Sequence, residues 1–247
     1  MEHPRTALPY VERHKARGQD YDESFSPEVN PYRAMVWRLE QRALDQILQV
    51  HLGGGEIDLL DFACGTGRIL RHLTGRVKST TGVDVSSAMM EVARKAAPAA
   101  ELLEADLTRE DVLGQRHFNL ITAFRFFPNA EPDLRRAVFG VLARHLSKNG
   151  VLVFNNHKNR NSLRRRIVRL TGREVQRGTM THQEVEDLLA RVGLRVVEQI
   201  PLATLPVSER HPLLPIWAVE PIERGLSRLP VLSGVAQHII YVCARST

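Results

Sequence analysis

The sequence predicts an α/β protein in which short strands alternate with helices around a largely parallel sheet. Three observations lead to this class. The chain has 247 residues, enough for one domain with its own core. Its hydrophobic fraction of 43% and charged fraction of 25% are those of an ordinary globular protein. From residue 57 onward, short apolar runs alternate with runs of helical periodicity, which favours parallel strands joined by right-handed crossovers.

The predicted elements follow one another in a regular order. An amphipathic helix is predicted from Ala34 to the glycines at 53–55, because apolar residues recur there at helical spacing. Thr181, with Glu184 three residues later, predicts the capped start of a helix that ends at Gly193. The other helices are predicted over residues 67–73, 86–97 and 132–146, and the strands over residues 57–63, 79–85, 101–107, 118–124, 150–156, 194–200 and 238–244.

The chain is predicted to divide into an arm and one domain. Residues 1–33 are polar, lack a hydrophobic period and contain several prolines, which is typical of a flexible N-terminal arm or lid. Residues 34–247 are predicted to form the domain, with cap-like inserts around residues 158–178 and 201–234.

The two cysteines, Cys64 and Cys243, do not have the spacing of a disulfide framework or a zinc site, so we expect no metal. No run of about 18 apolar residues is present, and the first residues lack the apolar core of a signal peptide. These features predict a cytoplasmic protein without a transmembrane span, either a monomer or a homodimer.

The net charge of +6 is concentrated in one segment. Residues 158–177 contain eight Lys or Arg against the single acid Glu174. Such a patch indicates an anionic partner, which includes contact with a membrane surface, or else a solvated helix face. Within the patch, Leu163, Ile167 and Leu170 would share one face of a helix and the arginines the other.

The loop from Asp61 to Arg68 follows a buried strand and precedes a helix, an arrangement typical of nucleotide sites. Gly65 and Gly67 remove the Cβ atoms that would block close approach of a ligand to the backbone. A dinucleotide fingerprint would need Gly or Ala at Leu70, and a phosphate-binding P-loop would need a Lys that is absent here. Asp61 suits a ligand that carries a positive ammonium group.

This loop resembles motif I of the class I S-adenosylmethionine (SAM)-dependent methyltransferases, and the resemblance continues downstream. The segment 81–86, which contains Asp84, resembles the second strand of that family, and the segment 105–107, which contains Asp106, resembles its adenine-binding position. Segments 118–124 and 146–150 resemble the fourth strand and the turn before the fifth, with Asn119 where Asp is usual. Ala63 replaces the first glycine of the motif, which costs little if its φ is negative.

The resemblance implies a Rossmann-like sheet of seven mostly parallel strands, with helices on both faces and an antiparallel last strand. It implies SAM as the cofactor, with Asp84 accepting the ribose hydroxyls and Asp106 the adenine amino group. The residues expected to bind SAM are Tyr21, Asp61, Ala63, Cys64, Gly65, Gly67, Asp84, Val85, Met89, Asp106, Leu107 and Phe124.

Catalytic candidates are expected at the carboxyl ends of the fourth and fifth strands or on the N-terminal lid. His157 falls on that edge and is predicted to be the general base for a hydroxyl acceptor, or else part of a polar loop. Arg125 is predicted to contact an anionic substrate or the lid, or else to pair with the N-terminal arm. Phe126 and Phe127 are candidates for the wall of the cavity, although at least one should belong to the core.

The predicted function is methylation of a small molecule such as a metabolite, a natural product, a sugar or a lipid-linked intermediate, on oxygen rather than nitrogen. The basic segment suits a phosphorylated, lipid-linked or otherwise anionic acceptor. Two alternatives remain: an RNA methyltransferase that uses this segment as a phosphate contact, and a non-catalytic partner subunit with the same fold. Nucleic acid is disfavoured because the segment carries no interleaved aromatic residues.

Overall fold

A computed structural model describes residues 20–53, 56–170, 179–207 and 215–246. A seven-stranded sheet in the order β3-β2-β1-β4-β5-β7-β6 forms its centre. β1 to β5 run parallel, and β7 lies antiparallel between β5 and β6. The strands are β1 (Asp58–Phe62), β2 (Ser79–Asp84), β3 (Glu101–Glu104), β4 (Phe118–Ala123), β5 (Leu146–Asn156), β6 (Leu194–Leu202) and β7 (His238–Arg245). The predicted fold class, with its antiparallel last strand, is confirmed.

The helices connect these strands and cover both faces of the sheet. The predicted caps are present: Thr181 and Glu184 form a reciprocal capping box, and the Ser86 side chain accepts a bond from the N–H of Met89. The helices are α1 (Asp20–Glu23), α2 (Pro31–His51), α3 (Arg68–Leu73), α4 (Ser87–Ala96), α5 (Pro132–His145), α6 (Leu163–Leu170), α7 (His182–Ala190) and α8 (Ile216–Leu226), with short 3₁₀ turns over Phe127–Asn129 and Pro230–Gly234.

β5 begins at Leu146, earlier than the predicted start at Gly150. The register of β4 against β5 shifts between Phe118 and Leu120, which allows Phe118 to pair with Leu146. A Cβ at position 150 would lie 2.8 Å from the carbonyl oxygen of Asn119, so only glycine fits this irregular crossing. The predicted turn is therefore part of the strand.

Two apolar clusters lie on opposite sides of the sheet. One packs around Phe118, Phe127 and Tyr241, and the other joins α2, through Met35 and Leu44, to the opposite face. Their fully buried side chains come from alternate positions along the strands, as expected for a sheet that is covered on both faces.

Helix α8 was not predicted, because the proline-rich sequence around it favours a loop and Pro221 lies inside the helix. Tertiary contacts compensate. Glu220 pairs with Arg38 and Arg42 of α2, and the buried carboxylate of Glu223 accepts the backbone N–H of Thr204 (2.9 Å). Within the described residues, no helix is both long and apolar enough to cross a membrane.

Candidate active site

The loop after β1 is shaped by two glycines and one carboxylate. Gly65 has φ +55° and Gly67 has φ +77°, in the left-handed region that residues without a Cβ enter at little cost. Asp84, at the end of β2, accepts the backbone N–H of Gly65 through Oδ2 (2.8 Å) and that of Ser86 through Oδ1 (2.9 Å). Burial raises the pKa of Asp84, while these N–H donors oppose the rise. The predicted ribose acceptor therefore also fixes the glycine loop.

Ala63 has a left-handed backbone conformation. Its φ is +55°, so the condition under which its replacement of the motif glycine would cost little is not met. The chain turns sharply after Phe62, the last residue of β1, because the N–H of Cys64 must reach the carbonyl of Val83 at 3.1 Å. A left-handed residue is needed between them, and a side chain there costs about 1–2 kcal/mol. Strain of this kind is concentrated at functional sites.

Asp61 is a buried carboxylate beneath the loop. Its Oδ1 accepts the hydroxyl of Thr122 on β4 at 2.7 Å. Burial raises the pKa of Asp61 to about 7, and the charge of the nearby Asp84 adds to the rise. The hydrogen bond from Thr122 and the charge of Arg68 act in the opposite direction and lower the pKa. A positive group bound above the loop would stabilise the ionised form, as the sequence prediction for an ammonium group requires.

A cleft opens beside the loop. Two carboxylates face it, Asp84 and Asp106; Oδ1 of Asp106 accepts both the N–H (3.0 Å) and the hydroxyl (2.6 Å) of Thr108. Five residues predicted to bind the cofactor line this cleft, namely Ala63, Asp84, Val85, Asp106 and Leu107. Phe126, a predicted wall residue, also lines it, and the lining residues that the sequence prediction missed are Phe62, Val83, Ala105, Thr108, Leu134 and Val138. Of these, Leu134 and Val138 come from α5, and only the folded chain brings them there.

The remaining predicted cofactor residues lie around the loop. Cys64 and Met89 are buried behind it, and the Met89 sulfur would touch a Cβ at Gly65 at 3.4 Å. Phe124 is buried in the cluster that contains α2. Tyr21 belongs to α1, but its side chain lies outside the described residues.

A segment near the N-terminus packs on the loop after β1 and also reaches Arg125, which follows β4. Asp22 accepts the hydroxyl of Thr66 at 2.5 Å and lies 3.8 Å from Nε of Arg68. The Phe25 ring lies 3.6 Å from the guanidinium carbon of Arg68 and 4.7 Å from that of Arg125. One aromatic ring thus makes cation–π contacts on both sides of the site.

Arg125 follows β4 in a strained conformation, with φ +60°. Its backbone N–H donates to Oδ1 of Asn155 (2.6 Å), and the Asn155 amide donates to the buried carboxylate of Glu40 (2.8 Å). The guanidinium Nη2 lies 3.6 Å from Glu40. Among the described residues, Nε and Nη2 have no hydrogen-bond partner. Within the described residues Arg125 lies beside Glu40 of α2 and contacts the Phe25 ring of the predicted arm, and its predicted contact with a substrate stays a prediction.

His157 lies on the same edge, directly after β5. Its Nε2 lies 3.4 Å from the side-chain nitrogen of Asn129, whose oxygen accepts a bond from Lys158 (2.7 Å) and whose nitrogen also donates to the carbonyl of Arg125 (2.7 Å). Burial, then the charges of Arg125 and other neighbours, holds the pKa of His157 well below its usual range. The ring is therefore neutral at physiological pH. Its buried Nδ1 has no partner among the described residues.

His238, the first residue of β7, is the functional candidate that the sequence prediction missed. Its ring centroid lies 6.2 Å from that of His157, and its buried Nδ1 also has no partner among the described residues. Burial, with the charges of Arg125 and Arg164, lowers the pKa of His238 to about 3. Because β7 runs antiparallel, its start lies where the parallel strands end, and this reversal was the signal available in the sequence.

Two other predictions concern the surroundings of this edge. Phe126 lines the cleft, whereas Phe127 stacks on Phe139 in the core with ring centroids 3.9 Å apart. Within the basic segment, Leu163–Leu170 form the helix α6, which has no buried residue; Ile167 is 44% and Leu170 87% exposed. Residues 171–177 of the segment lie outside the described part of the chain, and the anionic partner predicted for the segment stays a prediction.

Known proteins resemble this chain in sequence over part of its length. A model described as a methyltransferase domain matches residues 59–150. A dTDP-4-amino-2,3,4,6-tetradeoxy-D-glucose N,N-dimethyltransferase from Saccharopolyspora spinosa is 31% identical over 51% of this chain and 50% of the relative. A dTDP-3-amino-3,4,6-trideoxy-alpha-D-glucopyranose N,N-dimethyltransferase from Streptomyces venezuelae is 36% identical over 38% of this chain and 40% of the relative. The chain thus matches half or less of the length of these relatives.

The fold is shared more widely. A magnesium protoporphyrin IX methyltransferase from Synechocystis PCC 6803, solved with bound S-adenosylhomocysteine (SAH), has a TM-score of 0.61 and 14% identity over 95% of this chain and 92% of that chain. At this identity the likeness shows the fold alone. Residues 59–150 of this chain thus match a methyltransferase domain, and the chain has the fold of solved SAM-dependent methyltransferases, as the sequence predicted.

Proposed function

We propose that this protein transfers a methyl group from SAM to a small-molecule acceptor. The observation that carries the proposal is the position of two different sites on one edge of the sheet. A cleft with two carboxylates lies at the ends of β1 to β3. At the ends of β4 and β5 and the start of β7 lie Arg125, His157 and His238, whose buried polar atoms have no hydrogen-bond partner among the described residues. The first suits a nucleoside, and the second suits the acceptor.

The residues of the first site fit SAM. Asp84 and Asp106 would accept hydrogen bonds from the ribose and the adenine, and the apolar walls of the cleft, which include Leu107 and Val138, would cover the ring. Asp61 would balance the ammonium group. When bound, SAM supplies an electrophilic methyl group on a sulfonium, and the chain has to align the acceptor with it.

A nitrogen acceptor is favoured by two considerations. The relatives above are named as N,N-dimethyltransferases of amino sugars linked to dTDP. The cations Arg125 and Lys158 stand beside His157, and positive charge of this kind lowers the pKa of an amine and keeps it in its nucleophilic neutral form. The acceptor is therefore proposed to be a sugar-like amine that carries an anionic group.

An oxygen acceptor is the second candidate and the one predicted from the sequence. A hydroxyl needs a base, and a neutral His157 is the residue predicted for that role. The two candidates differ in what His157→Ala should do. For a hydroxyl, kcat should fall by about 10²–10⁴-fold, the usual contribution of general base catalysis. For an amine, the loss should appear mainly in KM.

The test has two stages. Calorimetry with SAM and SAH comes first, and we expect both to bind, with His157→Ala binding SAH as well as the natural chain does. The protein is then incubated with SAM and a panel of dTDP-linked amino sugars and their hydroxyl counterparts, and mass spectrometry detects the added methyl group. Methylation of the amines alone is the expected result.

Other outcomes would replace the proposal. If neither SAM nor SAH binds, the protein is a non-catalytic member of the fold. Methyl transfer into RNA, with retention on RNA that weakens steeply as salt increases, would indicate the RNA methyltransferase of the sequence prediction.

A further inference from the structure

Three side chains at the acceptor edge carry buried atoms that make no hydrogen bond within the described chain. These atoms are Nε and Nη2 of Arg125, Nδ1 of His157 and Nδ1 of His238. A buried polar atom without a partner costs about 1–3 kcal/mol, so several together indicate a missing ligand. His238 is only 6% exposed, which places its ring inside the site rather than at the surface.

The guanidinium of Arg125 offers a matched pair of donors. Nε and Nη2 lie on the same edge of the guanidinium plane, and two parallel N–H groups on one edge bind two oxygens of a phosphate or carboxylate at once. The backbone of Arg125 is strained and is held by a hydrogen bond to Asn155, which fixes the position from which the side chain extends. Glu40, 3.6 Å from Nη2, is the acid that faces it.

The tautomer of His157 follows from its neighbour. The Lys158 ammonium can only donate, so the atom of Asn129 that it contacts at 2.7 Å must be the amide oxygen. The Asn129 amide nitrogen then faces His157 and donates to Nε2 at 3.4 Å. A neutral imidazole whose Nε2 accepts a hydrogen bond carries its proton on Nδ1. The unpartnered atom of His157 is therefore an N–H donor.

The surrounding charge is positive. Arg125, Lys158 and Arg165 act on His157, and Arg125 and Arg164 act on His238. Glu40 is the one carboxylate found close to the guanidinium edge in the described chain. Donors that converge in a positive field with little competing water bind an oxyanion strongly.

We infer that Arg125, His157 and His238 form a binding site for a phosphate or diphosphate group of the acceptor. Arg125 binds two oxygens side-on, His157 donates from Nδ1, and His238 donates from Nδ1 in the tautomer that the bound anion selects. The inference rests on the proposed methyl transfer, since it assigns the acceptor's anionic group to that same site. It also assigns His157 a positioning role for an amine acceptor.

The test uses inorganic pyrophosphate as the probe, titrated by calorimetry into the full chain saturated with SAH, at constant ionic strength. SAH occupies the cleft and so prevents binding of the probe there. We expect one saturable site. Arg125→Gln and His238→Gln should each weaken it at least tenfold, while malonate, a dicarboxylate, binds more weakly than pyrophosphate.

The matched control is Arg166→Gln, which removes a neighbouring charge from an exposed arginine of α6 outside the site. We expect its affinity for pyrophosphate to stay within twofold of the natural chain. An equal loss in Arg166→Gln would show diffuse attraction to a basic surface and overturn the site. Tighter binding of malonate would overturn its assignment to phosphate. Thermal unfolding and SAH affinity of each variant exclude loss of folding as the cause.

The two proposals fail in different ways. If SAH binds but pyrophosphate does not, the phosphate site is wrong and the methyltransferase proposal stands. If SAH does not bind, the proposed function is wrong, and the same titration of the unliganded chain tests the phosphate site alone. ¹⁵N NMR of the His157 ring gives a readout independent of activity: Nδ1 should be the protonated nitrogen, and an Nε2–H tautomer would contradict this inference.

Discussion

The two ends of the active-site edge differ in how their polar atoms are satisfied. On the cofactor side, Asp84 holds the glycine loop through two backbone N–H groups, and Asp61 is bonded to Thr122. On the acceptor side, Arg125 and His157 keep buried atoms without partners in the described chain. The chain thus completes its cofactor site by itself, whereas the acceptor site is complete only with a ligand.

This difference separates what each side contributes. A site that is bonded internally is pre-organised, and the ligand need not reshape it. A site with unpartnered donors selects a ligand that supplies the missing acceptors, because a ligand without them leaves the desolvation cost in place. We therefore expect cofactor binding and acceptor binding to respond to different substitutions.

The largest expected effect is that of Asp84→Ala on the cofactor side. The substitution removes the predicted ribose contact and the acceptor of the Gly65 and Ser86 N–H groups. Hydrogen bonds to a charged group contribute about 1.5–3 kcal/mol each, so SAH affinity should fall at least about 100-fold in calorimetry. Asp133→Ala, an exposed aspartate of α5, is the control and should bind SAH normally. Unchanged affinity in Asp84→Ala would place the ribose elsewhere.

Asn155→Ala tests the acceptor side. It leaves the buried Glu40 oxygen without its amide donor and the Arg125 N–H without its acceptor. The free energy of unfolding, measured with urea, should fall by about 1–3 kcal/mol, while SAH affinity changes little. Asn161→Ala, at an exposed position, should leave both quantities unchanged. A large loss of SAH affinity in Asn155→Ala would show that the two sides are not separate.

The pH dependence of SAH binding tests the role of Asp61, whose pKa of about 7 is high for a carboxyl group. The ionised form attracts the ammonium group, so affinity should rise about tenfold between about pH 6 and pH 8. Without ligand the sign is opposite: the folded state binds the proton more tightly than the unfolded state, so this group's contribution to stability falls as pH rises from about 4 through 7. Asp61→Asn should flatten both profiles, and a flat profile in the natural chain would contradict the assignment.

The smallest expected effect is that of Ala63→Gly. Glycine removes a strain of about 1–2 kcal/mol and adds about 0.5–1 kcal/mol of chain entropy cost, so the protein should become about 0.5–1 kcal/mol more stable in urea unfolding. Ala137→Gly, at an exposed position inside α5, should have the opposite sign. Destabilisation in both variants would mean that the left-handed conformation of Ala63 carries no strain.

The cofactor side was the more predictable because its residues lie in short continuous segments. Asp84 ends β2 and Asp106 follows the end of β3 by two residues, so both occupy positions that spacing along the chain identifies. The sequence left the φ of Ala63 open, since it depends on where the N–H of Cys64 points in the assembled sheet. Local sequence does not carry that information.

The acceptor side depends on contacts between distant parts of the chain. Asn155 meets Glu40 across a separation of 115 residues, and no local pattern in α2 marks Glu40 as different from an exposed helical glutamate. His157 could be predicted because it directly follows a parallel strand. His238 begins its strand, so the rule that selected His157 passes over it unless the direction of β7 is used.

Because β7 comes late in the chain, the residues proposed for the two substrates lie largely in different parts of the sequence. The segment matched by the methyltransferase domain, residues 59–150, contains the cofactor carboxylates Asp61, Asp84 and Asp106. Of the acceptor residues, it contains only Arg125; His157 and His238 lie beyond it. Under the proposed assignment, a chain that exchanged the residues after 150 with those of a relative would keep its methyl-donor site and change most of its acceptor site.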